Sequence, residues 1–170
     1  VRVGNRVIGG NSPIAIQSMT NTDTYDHAAT LAQVRALEAA GCDIVRVTVP
    51  TPEAADIILA LREAGVTVPI VADIHFDYKA ALRCAELGFD KIRINPGNIG
   101  GEDRVRAVAE ACGARNIPIR IGVNGGSLEK HILAKYGAPT PDALCESALY
   151  HASRLEKFDF RNIVLSIKTS

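Results

Sequence analysis

The sequence has no tryptophan, one methionine and four cysteines in 170 residues, and its charges cancel, 19 Lys and Arg against 19 Asp and Glu. A balanced charge argues against general affinity for nucleic acid or anionic membranes, while leaving room for a local basic site. Four Phe and four Tyr are too few to interleave with basic residues as a base-stacking surface does. No apolar run exceeds five residues, Ile57 to Leu61, so no segment is long enough to span a bilayer as a helix. The opening VRVGNRVIGG is not a basic-then-apolar signal segment, and a soluble cytoplasmic domain is the expectation. Cys42, Cys84, Cys112 and Cys145 are separated by 42, 28 and 33 residues. With no CxxC pair, they carry no zinc or iron–sulfur signature. A disulfide framework is not expected in so apolar a chain, and all four are predicted as buried or half-buried free thiols. The phosphate loop GxxxxGK[ST] is missing, and no GxGxxG follows the first strand.

The length suits one domain, and 47% apolar residues suffice for a sizeable core. Strand-like apolar runs fall at 14–19, 44–49, 70–74, 91–95, 117–123 and 163–168, with helix-like stretches at 26–40, 52–64, 77–87, 102–112 and 141–157. Thr51-Pro52 and Thr140-Pro141 read as N-cap and first helical residue. Gly41, Gly65, Gly88 and Gly113 are placed to end helices. A short extra helix is predicted within 127–136, and Gly4-Asn5 between short apolar arms predicts a hairpin at the start. Alternation of strand and helix implies right-handed crossovers and a parallel sheet, in either an open doubly wound sheet or a (β/α)8 barrel. The barrel is the expectation, truncated to about six βα units, since a complete one takes eight strands and about 250 residues.

The reason lies at the strand ends. Arg46 and Thr48, Asp73 and His75, Arg93 and Asn95, and Ser166 and Lys168 are pairs two residues apart, and Arg120 is followed beyond Gly122 by Asn124. Residues two apart on a strand face the same way. In a barrel these side chains would converge on the mouth, where barrel enzymes keep their active sites. Parallel strands are ordinarily aliphatic on both faces. Gathering Arg46, Arg93, Arg120 and Lys168 without a counter-ion is costly, so an anionic ligand is expected, and the planar guanidinium fork suits phosphate. Asp73 and His75 read either as a structural polar pair or as groups that orient a hydroxylated substrate and handle a proton. Gly97, Gly100, Gly101, Gly125 and Gly126 could bring backbone N–H groups close to an anion. His27, His131 and His151 lie on predicted helices and read as surface residues.

The strings IAIQSMTNTDT, CDIVRVTVPT, PIVADIHFDYKAAL, KIRINPGNIGGEDR, IPIRIGVNGGSLEKHILAKYG and IVLSIKTS closely resemble the hydroxymethylbutenyl diphosphate synthase family over essentially the whole chain. The resemblance implies a (β/α)8 barrel followed by a smaller domain holding a [4Fe-4S] cluster. It also implies reductive opening of methylerythritol cyclodiphosphate on the methylerythritol phosphate route to isoprenoids, with ferredoxin or flavodoxin as electron donor and a homodimer in the full-length protein. It places diphosphate contacts on Arg46, Arg93, Arg120 and Lys168, and polar substrate contacts on Asp73, His75, Asn95, Asn124 and Ser166.

The family's CPxC-type cluster ligands have no counterpart in this sequence, nor has the glutamate that follows the last barrel strand. The resemblance therefore implies that residues 1–170 are the substrate-binding barrel part, with no catalytic residue and no metal ligand among them. Two other readings are a pterin-binding barrel of the dihydropteroate synthase type, whose characteristic opening and pyrophosphate motifs are missing, and a non-catalytic module that binds phosphate esters.

Overall fold

The computed structural model describes residues 1–95 and 97–169; Pro96, from the RINPGNIG string, and Ser170 lie outside them. The chain opens with the expected hairpin. Strands β1 (Arg2–Val3) and β2 (Arg6–Val7) pair antiparallel, Val3 opposite Arg6, across a two-residue turn at Gly4 and Asn5. Then β3 (Gln17–Met19), β4 (Ile44–Thr48), β5 (Ile70–Asp73), β6 (Lys91–Ile94), β7 (Ile119–Asn124) and β8 (Ile163–Lys168) form one parallel sheet in chain order. The sheet curls into a half-barrel.

Helices fill the crossovers: α1 (His27–Ala39), α2 (Ile57–Glu63), α3 (Tyr78–Leu87), α4 (Glu102–Ala114), α5 (Lys130–Tyr136) and α6 (Pro141–Glu156). Their outer-layer packing carries the main core, in which Val45, Val47, Ala72, Ile92, Ile94, Ile119 and Ile121 from the strands meet Leu61, Cys84, Val108 and Leu155 from the helices. Every second strand residue thus points outward into this core, and the others are left facing the barrel axis. The hairpin seals the lower end of that axis, where Val3 packs with Ile44 and Val71.

Local signals explain most boundaries. Asp26, Asp77 and Thr140 each accept a hydrogen bond from a backbone N–H in the first turn of the following helix. Gly41, Gly65 and Gly88 hold φ of 86°, 79° and 84° just past their helices, a conformation glycine adopts without strain. Gly113 does not end its helix. It lies inside α4, and the left-handed residue is Asn116 at φ 55°, a role asparagine tolerates. The single helix expected over 52–64 divides into a 3-10 turn, Glu53–Asp56, and α2. Cys42, Cys84 and Cys112 are buried free thiols, as predicted, but Cys145 is exposed on α6. Among the described residues, no helix is long and apolar enough to cross a membrane.

Candidate anion site at the strand ends

The axis-facing residues gather at the C-terminal ends of β4 to β8. A cavity of about 200 Å³ is lined there by Arg46, Asp73, His75, Arg93, Arg120, Gly122, Val123, Asn124, Ser166 and Lys168. Larger clefts, of about 590 Å³ against α5 and α6 and about 380 Å³ at the lower end, do not gather charge of one sign in this way. Register explains the convergence. Asp73 is the lateral neighbour of Arg93, Arg93 of Arg120, and Asn124 of Lys168.

Among the described residues, four cationic side chains share this cavity with one carboxylate, Asp73. Asp73 is buried, and it bridges Arg93 through Nη1 to Oδ1 at 3.0 Å and Arg46 through Nε to Oδ2 at 3.4 Å. Arg46 also points Nε and Nη2 at the Met19 sulfur, 3.2 and 3.1 Å away, which is a weak acceptor. Among the described residues, Arg120 has no carboxylate within ion-pair distance, and it donates from Nη2 to the Ser166 hydroxyl at 2.6 Å. Burial, then the Arg46 and Arg93 charges, lower the pKa of its guanidinium, and Asp73 only partly opposes them. A guanidinium remains cationic even so. The strain is electrostatic, and an anion would relieve it.

Eight of the nine residues read from the sequence as substrate contacts line this cavity. Asn95 does not. It follows the last residue of β6, is buried, and its Oδ1 accepts from the Gly97 N–H at 3.0 Å, so it shapes its own loop. The loop glycines are likewise not among the lining residues, and the Gly97 N–H is already committed to Asn95. Gly122 lines the cavity instead, for a reason of space. A Cβ there would stand 2.6 Å from Arg93 Nε and 2.7 Å from its Nη2, so the guanidinium lies across the bare backbone. The sequence carried that signal in the pattern Arg120-Ile-Gly122-Val-Asn124, where an axis-facing position is left empty.

Two further polar groups differ from, or add to, the expectation. His151 is not a surface residue. It is 1% exposed and its Nε2 is hydrogen-bonded to Glu129 Oε1. Lys91, two residues before Arg93 on β6, is also 1% exposed, and its nearest polar partner is Gln17 Oε1 at 3.5 Å. Burial, then Arg120 and Arg46, push its pKa down to about 8.

The barrel architecture recurs in known structures. A Clostridium difficile dihydropteroate synthase superposes on 97% of this chain and 65% of its own, with a TM-score of 0.60 at 12% identity. A Thermotoga maritima phospho-2-dehydro-3-deoxyheptonate aldolase superposes on 89% of this chain and 40% of its own, with a TM-score of 0.58 at 13% identity. At such identities the likeness is one of fold. Sequence relatives are far nearer. The protein named 4-hydroxy-3-methylbut-2-en-1-yl diphosphate synthase (flavodoxin) is 62% identical over 168 residues in Pseudomonas paraeruginosa and 61% identical over 170 residues in Chromohalobacter salexigens. These alignments cover 99% and 100% of this chain but 45% and 46% of the relatives, so the chain spans about half their length. The family profile described as the GcpE TIM-barrel domain matches residues 1–170. With the axis-facing charges, the parallel strands and this end-to-end match in agreement, the chain belongs to the GcpE TIM-barrel domain family.

Proposed function

We propose that this chain is the diphosphate-binding barrel of an oxidoreductase that converts 2-C-methyl-D-erythritol 2,4-cyclodiphosphate to 4-hydroxy-3-methylbut-2-enyl diphosphate on the methylerythritol phosphate route to isoprenoids. The observation that carries the reading is the charge imbalance at the strand ends, where among the described residues Arg46, Arg93, Arg120 and Lys168 stand against Asp73 alone. A cyclic diphosphate supplies the missing negative charge, and its oxygens suit bidentate guanidinium forks. The names of the curated relatives give the same diphosphate product and name flavodoxin, which supports flavodoxin as the electron donor.

The residues act by binding and orientation. Arg93 and Arg120, neighbours in register, grip phosphate oxygens. Lys168 adds a mobile point charge at the rim, and Asp73 keeps Arg46 and Arg93 apart and aimed. Opening the ring separates a phosphate oxygen from carbon, and cations fixed beforehand around that oxygen stabilise the charge it gains. His75, Asn124 and Ser166 stand where they can meet the hydroxyl groups of the carbon skeleton. The [4Fe-4S] cluster implied by the family does not fit these residues. Among the described residues no group of three His, Cys, Asp or Glu side chains could hold a metal, and burial pushes the Cys84 thiol up and the Cys112 thiol up to about 12. No step is therefore assigned to a cluster within this chain. In this reading the cluster, the dimer contacts and the donor surface belong to other parts of a longer cytoplasmic protein.

The test is Arg120→Lys beside the exposed control Arg161→Lys, read by binding of the cyclic diphosphate. Lysine keeps the charge but cannot hold two oxygens in one plane, and losing one charge-assisted hydrogen bond costs about 1.5–3 kcal/mol, one to two decades in affinity. Equal affinity in wild type and both variants would remove Arg120 from the site. Binding of a pterin in preference to the diphosphate would favour the dihydropteroate-type reading.

A further inference from the structure

Outside the anion cavity, the most unusual polar cluster lies behind it, where α6 meets the loops that follow β6 and β7. Glu129, five residues after Asn124, accepts from the Ser147 hydroxyl at 2.6 Å through Oε2, and its Oε1 meets His151 Nε2. Ser147 and His151 are one turn apart on α6 and both 1% exposed. An ionised carboxylate only accepts, so Nε2 must be the donor, and His151 Nδ1 is then a buried atom without a hydrogen-bond partner among the described residues. Burial raises the Glu129 carboxyl, but the Ser147 hydroxyl, the backbone and His151 outweigh it and hold it below the usual range.

The same histidine touches the other loop. A Cβ on Gly97 would lie 3.3 Å from His151 Cε1 and 3.2 Å from Asn95 Oδ1. One turn further along α6, Arg154 Nη2 reaches the Gly100 carbonyl at 3.4 Å. Thus α6 fastens the loop after β7 through Glu129 and the loop after β6 through Gly97 and Gly100. These loops continue directly from the strands that present Arg93, Arg120 and Asn124 to the cavity. A carboxylate–imidazole pair with the imidazole buried and the carboxylate half-buried is a costly way to fill space, since an apolar pair of the same volume is often as stable or more so. Its retention here matches a need for fixed geometry.

We infer that Glu129 and His151 form a positioning pair for the anion site, locking the loops after β6 and β7 to α6 so that Arg93, Arg120 and Asn124 are held in one arrangement. The inference rests on the anion-site reading above and adds residues that do not line the cavity.

Inorganic pyrophosphate binding by the full chain, together with amide hydrogen exchange, tests it. Leucine fills the histidine's volume without a donor, whereas glutamine places an amide N–H near the position of Nε2. His151→Leu is expected to weaken pyrophosphate binding roughly tenfold and to speed exchange in residues 97–101 and 124–128, while β4 stays protected. His151→Gln is expected to recover most of the affinity and protection. A role in packing alone predicts the opposite order, leucine being the better filler. Gly97→Ala, which crowds the same contact from the loop side, is expected to reproduce the loss if a His151 variant fails to fold. Wild-type affinity in His151→Leu and Gly97→Ala, with Arg120→Lys weakened, would overturn the positioning pair and leave the anion site standing. No pyrophosphate binding by wild type would overturn both.

Discussion

Lysine 91 shows what a single residue can cost. It sits beneath the guanidinium layer, 1% exposed, with Val71 as its lateral neighbour on β5, the Arg120 and Arg46 charges acting on it, and among the described residues only the Gln17 amide oxygen, at 3.5 Å, for a partner. An unfolded lysine keeps its proton to about pH 10.4, whereas the folded one loses it near 8. Between those values the unfolded chain binds more protons, so this residue makes stability rise with pH across that window, and below it the full penalty applies. Lys91→Met should therefore be more stable than wild type at pH 7 by about 3 kcal/mol, a gap that narrows towards pH 10. Urea unfolding of both proteins at pH 7 and pH 10 measures it; a constant gap would mean that Lys91 is neutralised by a group already beside it. The position was legible in the sequence, two before Arg93 and so on the same face. What the sequence could not show was depth: Lys91 lies below the cavity while Arg93 lines it, because strand parity fixes the face and not the height along the axis. His151 was hidden for the opposite reason. Its helix reads as amphipathic with a polar histidine, and only its contact with Glu129, 22 residues away, makes a buried site hospitable to it.

At the scale of elements, strands are the easiest to read, because β4 to β8 carry aliphatic residues towards the helices and, at their C-terminal ends, polar residues towards the axis. Helix ends were read through their caps, and failed where a cap signal stood inside a helix. Gly113 reads as a terminus, but the backbone stays helical to Ala114 and turns at Asn116, whose side-chain and backbone oxygens lie 3.4 Å from Asn162 Nδ2. The division of residues 53–63 into a 3-10 turn and α2 had no sequence signal beyond Pro52. Helix α6 matters most here, since it supports both loops behind the site. It begins at Thr140, whose Oγ1 accepts from the Ala143 N–H at 3.2 Å, with Pro141 preset for the first turn. Thr140→Ala should cost about 1 kcal/mol of stability, measurable in urea. Thr140→Ser, which keeps the hydroxyl, should restore it. Equal loss in both variants would show that the methyl packing of Thr140, and not its cap, holds the start of α6.

For the whole molecule, the barrel was expected from where polar residues converge, and the curl of the sheet brings that convergence about. The sheet also has two outer strands. The order runs from β3 to β8 with each strand paired to its chain neighbour, so among the described residues one side of β3 and one side of β8 meet no strand. The outward face of β8 is bare as well: Leu165 and Ile167 are 46% and 48% exposed, and Ile14 and Ile16, leading into β3, are 95% and 64% exposed. Exposed edges with apolar side chains invite pairing with another copy, and a closed barrel avoids this by leaving no edge. The 18.1 kDa chain by itself should therefore associate, and sedimentation velocity over a concentration series should show its average mass rising. Leu165→Lys with Ile167→Lys puts charge on the outward face of β8 without touching Ser166 or Lys168, which face the cavity. Charge on an edge strand opposes such pairing, so this double variant should shift the series towards monomer while pyrophosphate binding is unchanged. A wild-type chain that sediments as a monomer throughout, and unfolds in one cooperative step, would show that the half-barrel protects its edges without a partner.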